Sequence, residues 1–159
     1  MKMLRHVPRG LQEINDFYGN WEDSSFVQDH LTWKRMPFKM RLSWNQAVSI
    51  TGFMVHLEIA EVVYDVLKQI LNFGGLPFLR DNNLDFYGGC YNPRGKVGGG
   101  GTSVHAWGIG IDWCPALGAY GQTPNMPAFI VEAFTSRGFE WGGTWKKPDG
   151  MHFQACTSY

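Results

Sequence analysis

The sequence predicts one α+β domain, a small antiparallel sheet with flanking helices. Three observations predict it: a length of 159 residues, one amphipathic stretch at 51–73, and short β-like pieces broken by glycines beyond residue 84. A chain of this length fits one core rather than two. Hydrophobic residues make up 44% and aromatics 15%, enough to fill that core, while seven Trp and twenty Gly point to a loop-rich, aromatic-lined fold.

Taken in order, residues 1–50 show no clean period beyond a short helix expected near Leu11–Tyr18. The clearest helix is expected at Thr51–Phe73, where Val55, Ile59, Val62, Val63, Val66, Leu67, Ile70 and Leu71 recur at three- and four-residue spacing. Gly74-Gly75 supplies its stop, because glycine accepts the left-handed conformation that ends helices. From Asp85 to Asp112 glycines interrupt β-like pieces, which reads as strands joined by a flexible loop holding Gly98–Gly101. A second helix is expected at Asn125–Arg137, with Asn125 as N-cap, Pro127 in the first turn, Phe129, Ile130, Ala133 and Phe134 buried, and Gly138 as terminator. Strands are expected near Phe139–Trp141 and Met151–Gln154. Residues 1–83 thus read as an N-terminal helical part and 84–154 as a motif-bearing part, with no repeat or linker dividing them.

Lys+Arg and Asp+Glu both number 14, which removes the usual electrostatic argument for nucleic acid or an anionic membrane. The local basic stretch (Lys2, Arg5, Arg9, then Lys34, Arg35, Lys39, Arg41) reads as a solvated face. Three unclustered cysteines, Cys90, Cys114 and Cys156, do not form a disulfide framework; they read as reduced, packed thiols of a chain made in the cytoplasm. Charged residues interrupt the N-terminus before an apolar signal segment can form, and no run is long enough to span a membrane.

Two stretches carry chemistry: Ser103-Val-His105-Ala-Trp-Gly108-Ile-Gly110-Ile-Asp112 and Asp149-Gly-Met151-His152-Phe-Gln154. His and carboxylate are standard zinc ligands, and a catalytic zinc takes three from the protein. Seven residues of strand span roughly 23 Å and seven of helix about 10 Å, so the chain must bend for His105 and Asp112 to reach one ion. Gly108 and Gly110 are where that bend is easiest. Ile109 and Ile111 then pack on the core while Asp112 points the other way. Asp149 and His152 are three apart, close enough for one turn to set a proton-accepting carboxylate beside a ligand. Glu140 competes with Asp149 for that role. His6, His30 and His56 read as structural. Trp107, Trp113, Trp141 and Trp145 fit either a groove or the core, and the glycine run fits a mobile rim.

The first stretch resembles the SxHxxGxAxD signature of the D-alanyl-D-alanine carboxypeptidase and dipeptidase family, which includes phage L-alanyl-D-glutamate endopeptidases. The second resembles that family's closing motif, an acid, two residues, then a ligand His. Tyr87-Gly-Gly-Cys-Tyr-Asn-Pro-Arg94 and Gly138-Phe-Glu-Trp-Gly-Gly-Thr-Trp145 are similar to phage and prophage members. The resemblance implies zinc held by His105, Asp112 and His152, with Asp149 as general base and Arg94 near a substrate carbonyl or carboxylate. Ser103 would support the ligand geometry. Gly110 stands where Ala is usual, which is expected to loosen the strand without removing chemistry, and Gln154 stands where Glu is frequent. The implied substrate is a peptidoglycan stem peptide, cleaved at the cell wall between L-Ala and D-Glu. A D-Ala-D-Ala carboxypeptidase, a virion-borne wall hydrolase docked in a tail through the N-terminal residues, and a non-catalytic zinc-bearing module are the rival readings.

Overall fold

A computed structural model describes all 159 residues. Helix α1, Gly10–Tyr18, lies where expected. After the short α2, Phe26–His30, come two strands of twelve residues each, β1 (Leu31–Leu42) and β2 (Asn45–His56). β1 buries Met36, Phe38 and Met40 in alternation, the period of a half-covered strand. Pro37 falls where the pairing with β2 is interrupted, between Arg35 and Met40, a place that tolerates a residue with no N–H.

The helix expected over Thr51–Phe73 begins only at Leu57. Residues 51–56 instead finish β2, where Phe53 and Val55 are buried. Val55 fits the helical spacing by coincidence. Gly52 explains part of the choice: a Cβ there would run into the Lys34 carbonyl oxygen and stand 2.9 Å from Arg35 Cα on the paired strand, so this position needs a glycine. His56 caps α3 (Leu57–Asp81), its Nδ1 accepting the Glu58 N–H at 3.2 Å. Gly75 does break the helix, at φ 80, but a second helical piece resumes through Pro77 to Asp81.

β3 (Phe86–Gly89), β4 (Gly110–Trp113), β5 (Glu140–Trp141) and β6 (His152–Gln154) complete one six-stranded sheet, ordered β2-β1-β3-β4-β6-β5. Only the β1–β3 pair is parallel. The molecule is thus one α+β domain with a mostly antiparallel sheet. The N-terminal part is not simply helical, since it supplies β1 and β2. Helix α4 is shorter than expected, Ala128–Thr135, with Pro127 rather than Asn125 at the cap. Ile130, Ala133 and Phe134 are buried, while Phe129 stays half-buried and stacks on Phe73 of α3 at 3.9 Å. Arg137, almost fully buried, ties this end to α3 through Asp65 at 2.8 Å. No helix is long and apolar enough to cross a membrane.

Candidate metal centre

A short 3-10 turn, Val104–Trp107, opens the site, with the Ser103 hydroxyl accepting the His105 N–H at 3.3 Å. Gly108 follows at φ 68 and turns the chain into β4. The bend required between His105 and Asp112 is therefore made by the turn and Gly108, while Gly110 already lies in the strand. β4 pairs with β6 in the register that sets Asp112 opposite His152. Ile109 and Ile111 are fully buried in the core as their alternation predicts.

The result is a buried cluster: one ligand atom each from His105, Asp112 and His152 lies within 4.8 Å of the others. His152 Nδ1 is 2.8 Å from Asp112 Oδ1, and His105 Nε2 is 3.2 Å from Asp112 Oδ2. The outward nitrogens are tied down. His105 Nδ1 donates to the Cys90 carbonyl at 2.6 Å, and His152 Nε2 donates to the Gln154 side-chain carbonyl at 3.1 Å. With a metal bound, those acceptors would keep a lone pair on each inward-facing nitrogen, the form in which imidazole is a ligand. His105 Nε2 is buried and, though close to Asp112 Oδ2, is not aligned to form a hydrogen bond with it, and such an atom calls for a further interaction. Two imidazole nitrogens, one of them without a hydrogen bond, and a carboxylate fit zinc. Burial works to raise the Asp112 pKa, but the two imidazoles facing it prevail and hold it well below the usual carboxylate range. Burial opposes a charged His152, and Asp112 and Asp149 outweigh it, raising the His152 pKa.

Asp149 opens a tight turn in which its carbonyl accepts the His152 N–H at 3.1 Å. Its carboxylate lines a cleft of about 250 Å³ together with His105 and His152, and Oδ1 is buried with no partner. Burial raises its pKa, with the nearby Asp112 charge adding to the rise, which makes the carboxylate a better proton acceptor. Arg94 lines the same cleft, its Nη2 4.0 Å from Asp112 Oδ2. Glu140 is not among the lining residues; it accepts the Trp145 indole N–H at 2.5 Å. The tryptophans divide. Trp107 and Trp113 are wholly buried, Trp141 packs on Phe153, and Trp145 lines the cleft 5.6 Å from the His152 ring.

The remaining candidates fall away from the cluster. His56 caps α3 and stacks against His30, and His6 meets the Phe17 ring edge to face. All three cysteines are free and buried, and burial pushes the Cys114 and Cys156 thiols up to about 12. Sequence reasoning passed over the Cys90 carbonyl and four residues lining the cleft: Lys96, Tyr120, Lys147 and Tyr159. Lys147 was within reach, two residues before Asp149; Tyr120 arrives from a distant turn and Tyr159 from the irregular segment after β6, and neither leaves a local signal.

Residues 97–155, a little over a third of the chain, match the family model described as D-alanyl-D-alanine carboxypeptidase. The matched stretch holds His105, Asp112, Asp149 and His152 and leaves out Arg94. Neither the curated proteins nor the solved structures compared with the chain give a match. Over its motif-bearing segment the chain is thus similar to D-alanyl-D-alanine carboxypeptidases, and the similarity takes in every side chain of the buried cluster.

Proposed function

We propose that this protein is a zinc-dependent peptidase acting on peptidoglycan stem peptides. One observation carries the reading: a buried His105–Asp112–His152 cluster opens onto a cleft that also holds the unpartnered Asp149 carboxylate. Zinc, when bound there, supplies Lewis acidity that activates water near neutral pH and polarises the scissile carbonyl. The protein's own groups do the rest. His105 and His152 are held in one tautomer by the Cys90 and Gln154 carbonyls. Asp149 takes the proton of the attacking water and returns it to the leaving amine. Arg94 offers its guanidinium to a substrate carbonyl or carboxylate oxygen. The Trp145 ring, 5.6 Å from that of His152, forms one wall of the cleft.

The proposed scissile bond is L-Ala–D-Glu, supported by an Asp at position 149 and by the likeness of residues 87–94 and 138–145 to phage endopeptidases. A D-Ala-D-Ala carboxypeptidase is the second reading, favoured by the description of the matching family. Purified peptidoglycan digested by the zinc-loaded protein should yield new D-Glu amino termini by mass spectrometry, and none after chelation. Release of free D-alanine would select the second reading. No new termini of either kind would sink the proposal.

A further inference from the structure

The cleft departs from the charge balance of the whole chain. Its lining carries Arg94, Lys96 and Lys147 against the single carboxylate of Asp149, in a protein with 14 charges of each sign. Lys96 Nζ sits 3.6 Å from the centre of the Tyr159 ring, and Lys147 Nζ 4.4 Å from that of Tyr120. All four residues line the cleft. Neither ammonium has an ion-pair partner, whereas Lys2 and Lys34 both pair with Glu61. Partial burial lowers the Lys96 pKa, as expected of a cation desolvated without a carboxylate.

An aromatic face holds an ammonium in place but leaves its N–H donors free to turn to a second partner. The glycine run keeps that space open. Gly98 to Gly101 all have positive φ, between 86° and 118°. A Cβ on Gly98 would stand 3.3 Å from the Tyr120 hydroxyl, and one on Gly101 3.7 Å from the Tyr159 hydroxyl. The loop thus passes both tyrosines without placing a side chain between them and the cleft.

We infer that the Lys96–Tyr159 and Lys147–Tyr120 pairs are two carboxylate-binding positions, so that the cleft selects acidic peptides whose carboxylates are free. The inference rests on the peptidase reading for the scissile bond, but recognition is separable from cleavage. Three cations against one carboxylate raise the local potential for an incoming anion, and a charge-assisted hydrogen bond at each lysine fixes its position.

The test uses the zinc-loaded Asp149→Asn protein, in which turnover is slowed, and the tripeptide L-alanyl-γ-D-glutamyl-diaminopimelate, either with free carboxylates or with all of them amidated. Calorimetry should show the free-acid peptide binding at least about tenfold more tightly, with the advantage shrinking at high salt. Lys96→Gln and Lys147→Gln should each erode that preference, and Lys→Arg at the same positions should retain it. Thermal melting checks that each variant is folded. Equal binding of the two peptides, no binding of either, or Lys→Gln variants that keep the full preference would overturn the inference. Parallel hydrolysis by the parent protein keeps the two proposals apart. Selective binding without cleavage refutes the peptidase reading alone, and cleavage of both peptides alike with equal binding refutes the carboxylate positions alone.

Discussion

Gly110 lies directly beneath the His152 ring: a Cβ on Gly110 would stand 2.9 Å from His152 Cε1 and 2.8 Å from Val104 Cγ2. Beyond any loosening of β4, the glycine gives the two imidazoles room to converge. Gly110→Ala has no backbone strain to overcome, because its φ is not positive. The added methyl must displace the ring or the valine. We predict a folded protein whose zinc affinity falls about tenfold or more, as for other changes that reorient a ligand. Competition against a chromophoric chelator measures it; unchanged affinity would mean that Val104 gives way and the ring stays.

The cluster was more legible in the sequence than the fold around it. His105, Asp112, Asp149 and His152 sit in two short stretches whose spacing limits the geometry, and a 3-10 turn, one αL glycine and one strand pair suffice to bring them together. The β1–β2 hairpin was hidden for the opposite reason. Only one face of β1 is buried, Pro37 interrupts it, and Asn45–Ser49 of β2 are exposed, so no apolar period stands out. Val55 and His56 then joined the helical pattern of α3 by spacing alone. The cleft lysines and tyrosines depend on contacts between segments distant in sequence, which local patterns do not encode.

Gln154 should control metal binding through His152 alone. Its side-chain carbonyl accepts the His152 Nε2–H at 3.1 Å, while its amide is anchored on the Cys156 carbonyl. Gln154→Leu keeps the bulk and removes the acceptor, so His152 can adopt the wrong tautomer. Zinc affinity should drop by about 10–100-fold, whereas Gln154→Glu, still an acceptor, should hold it near the parent. Two variants with the same affinity would show that this hydrogen bond does not set the tautomer.

His56 should make stability fall in mild acid. Its Nδ1 accepts the Glu58 N–H and its Nε2 donates to the Tyr18 carbonyl at 2.9 Å, so protonation breaks the cap. Burial lowers its pKa to about 4 from an ordinary 6.5. Below 6.5 the unfolded chain takes up a proton that the folded one refuses. The stabilisation is whole above that pH and is lost as pH falls toward 4. Between pH 7 and 4.5 the parent should lose about 2–3 kcal/mol more than His56→Asn, which can still cap the helix. Urea unfolding at the two pH values gives the comparison, and equal losses would remove His56 from the acid response.

Asp149→Asn should separate proton transfer from metal binding. The amide matches the carboxylate in size, and Asp149 is not one of the three clustered ligands, so zinc content and fold should persist. The lost group is the only carboxylate lining the cleft whose oxygen is buried without a partner. An amide cannot take a proton from water, and general-base catalysis is worth about 10²–10⁴ in rate. Activity on peptidoglycan should therefore fall by at least about a hundredfold at full zinc occupancy. Glu140→Gln is the counter-test. Glu140 sits on β5, outside the cleft lining, with its carboxylate engaged by the Trp145 indole. A glutamine keeps an acceptor for that N–H, so activity should stay within roughly tenfold of the parent, as expected when no proton-transfer group is lost. An active Asp149→Asn beside a zinc-loaded but inactive Glu140→Gln would move the base to Glu140. Full activity in both variants would mean that neither carboxylate carries the proton, and the base-assisted step would fail with them.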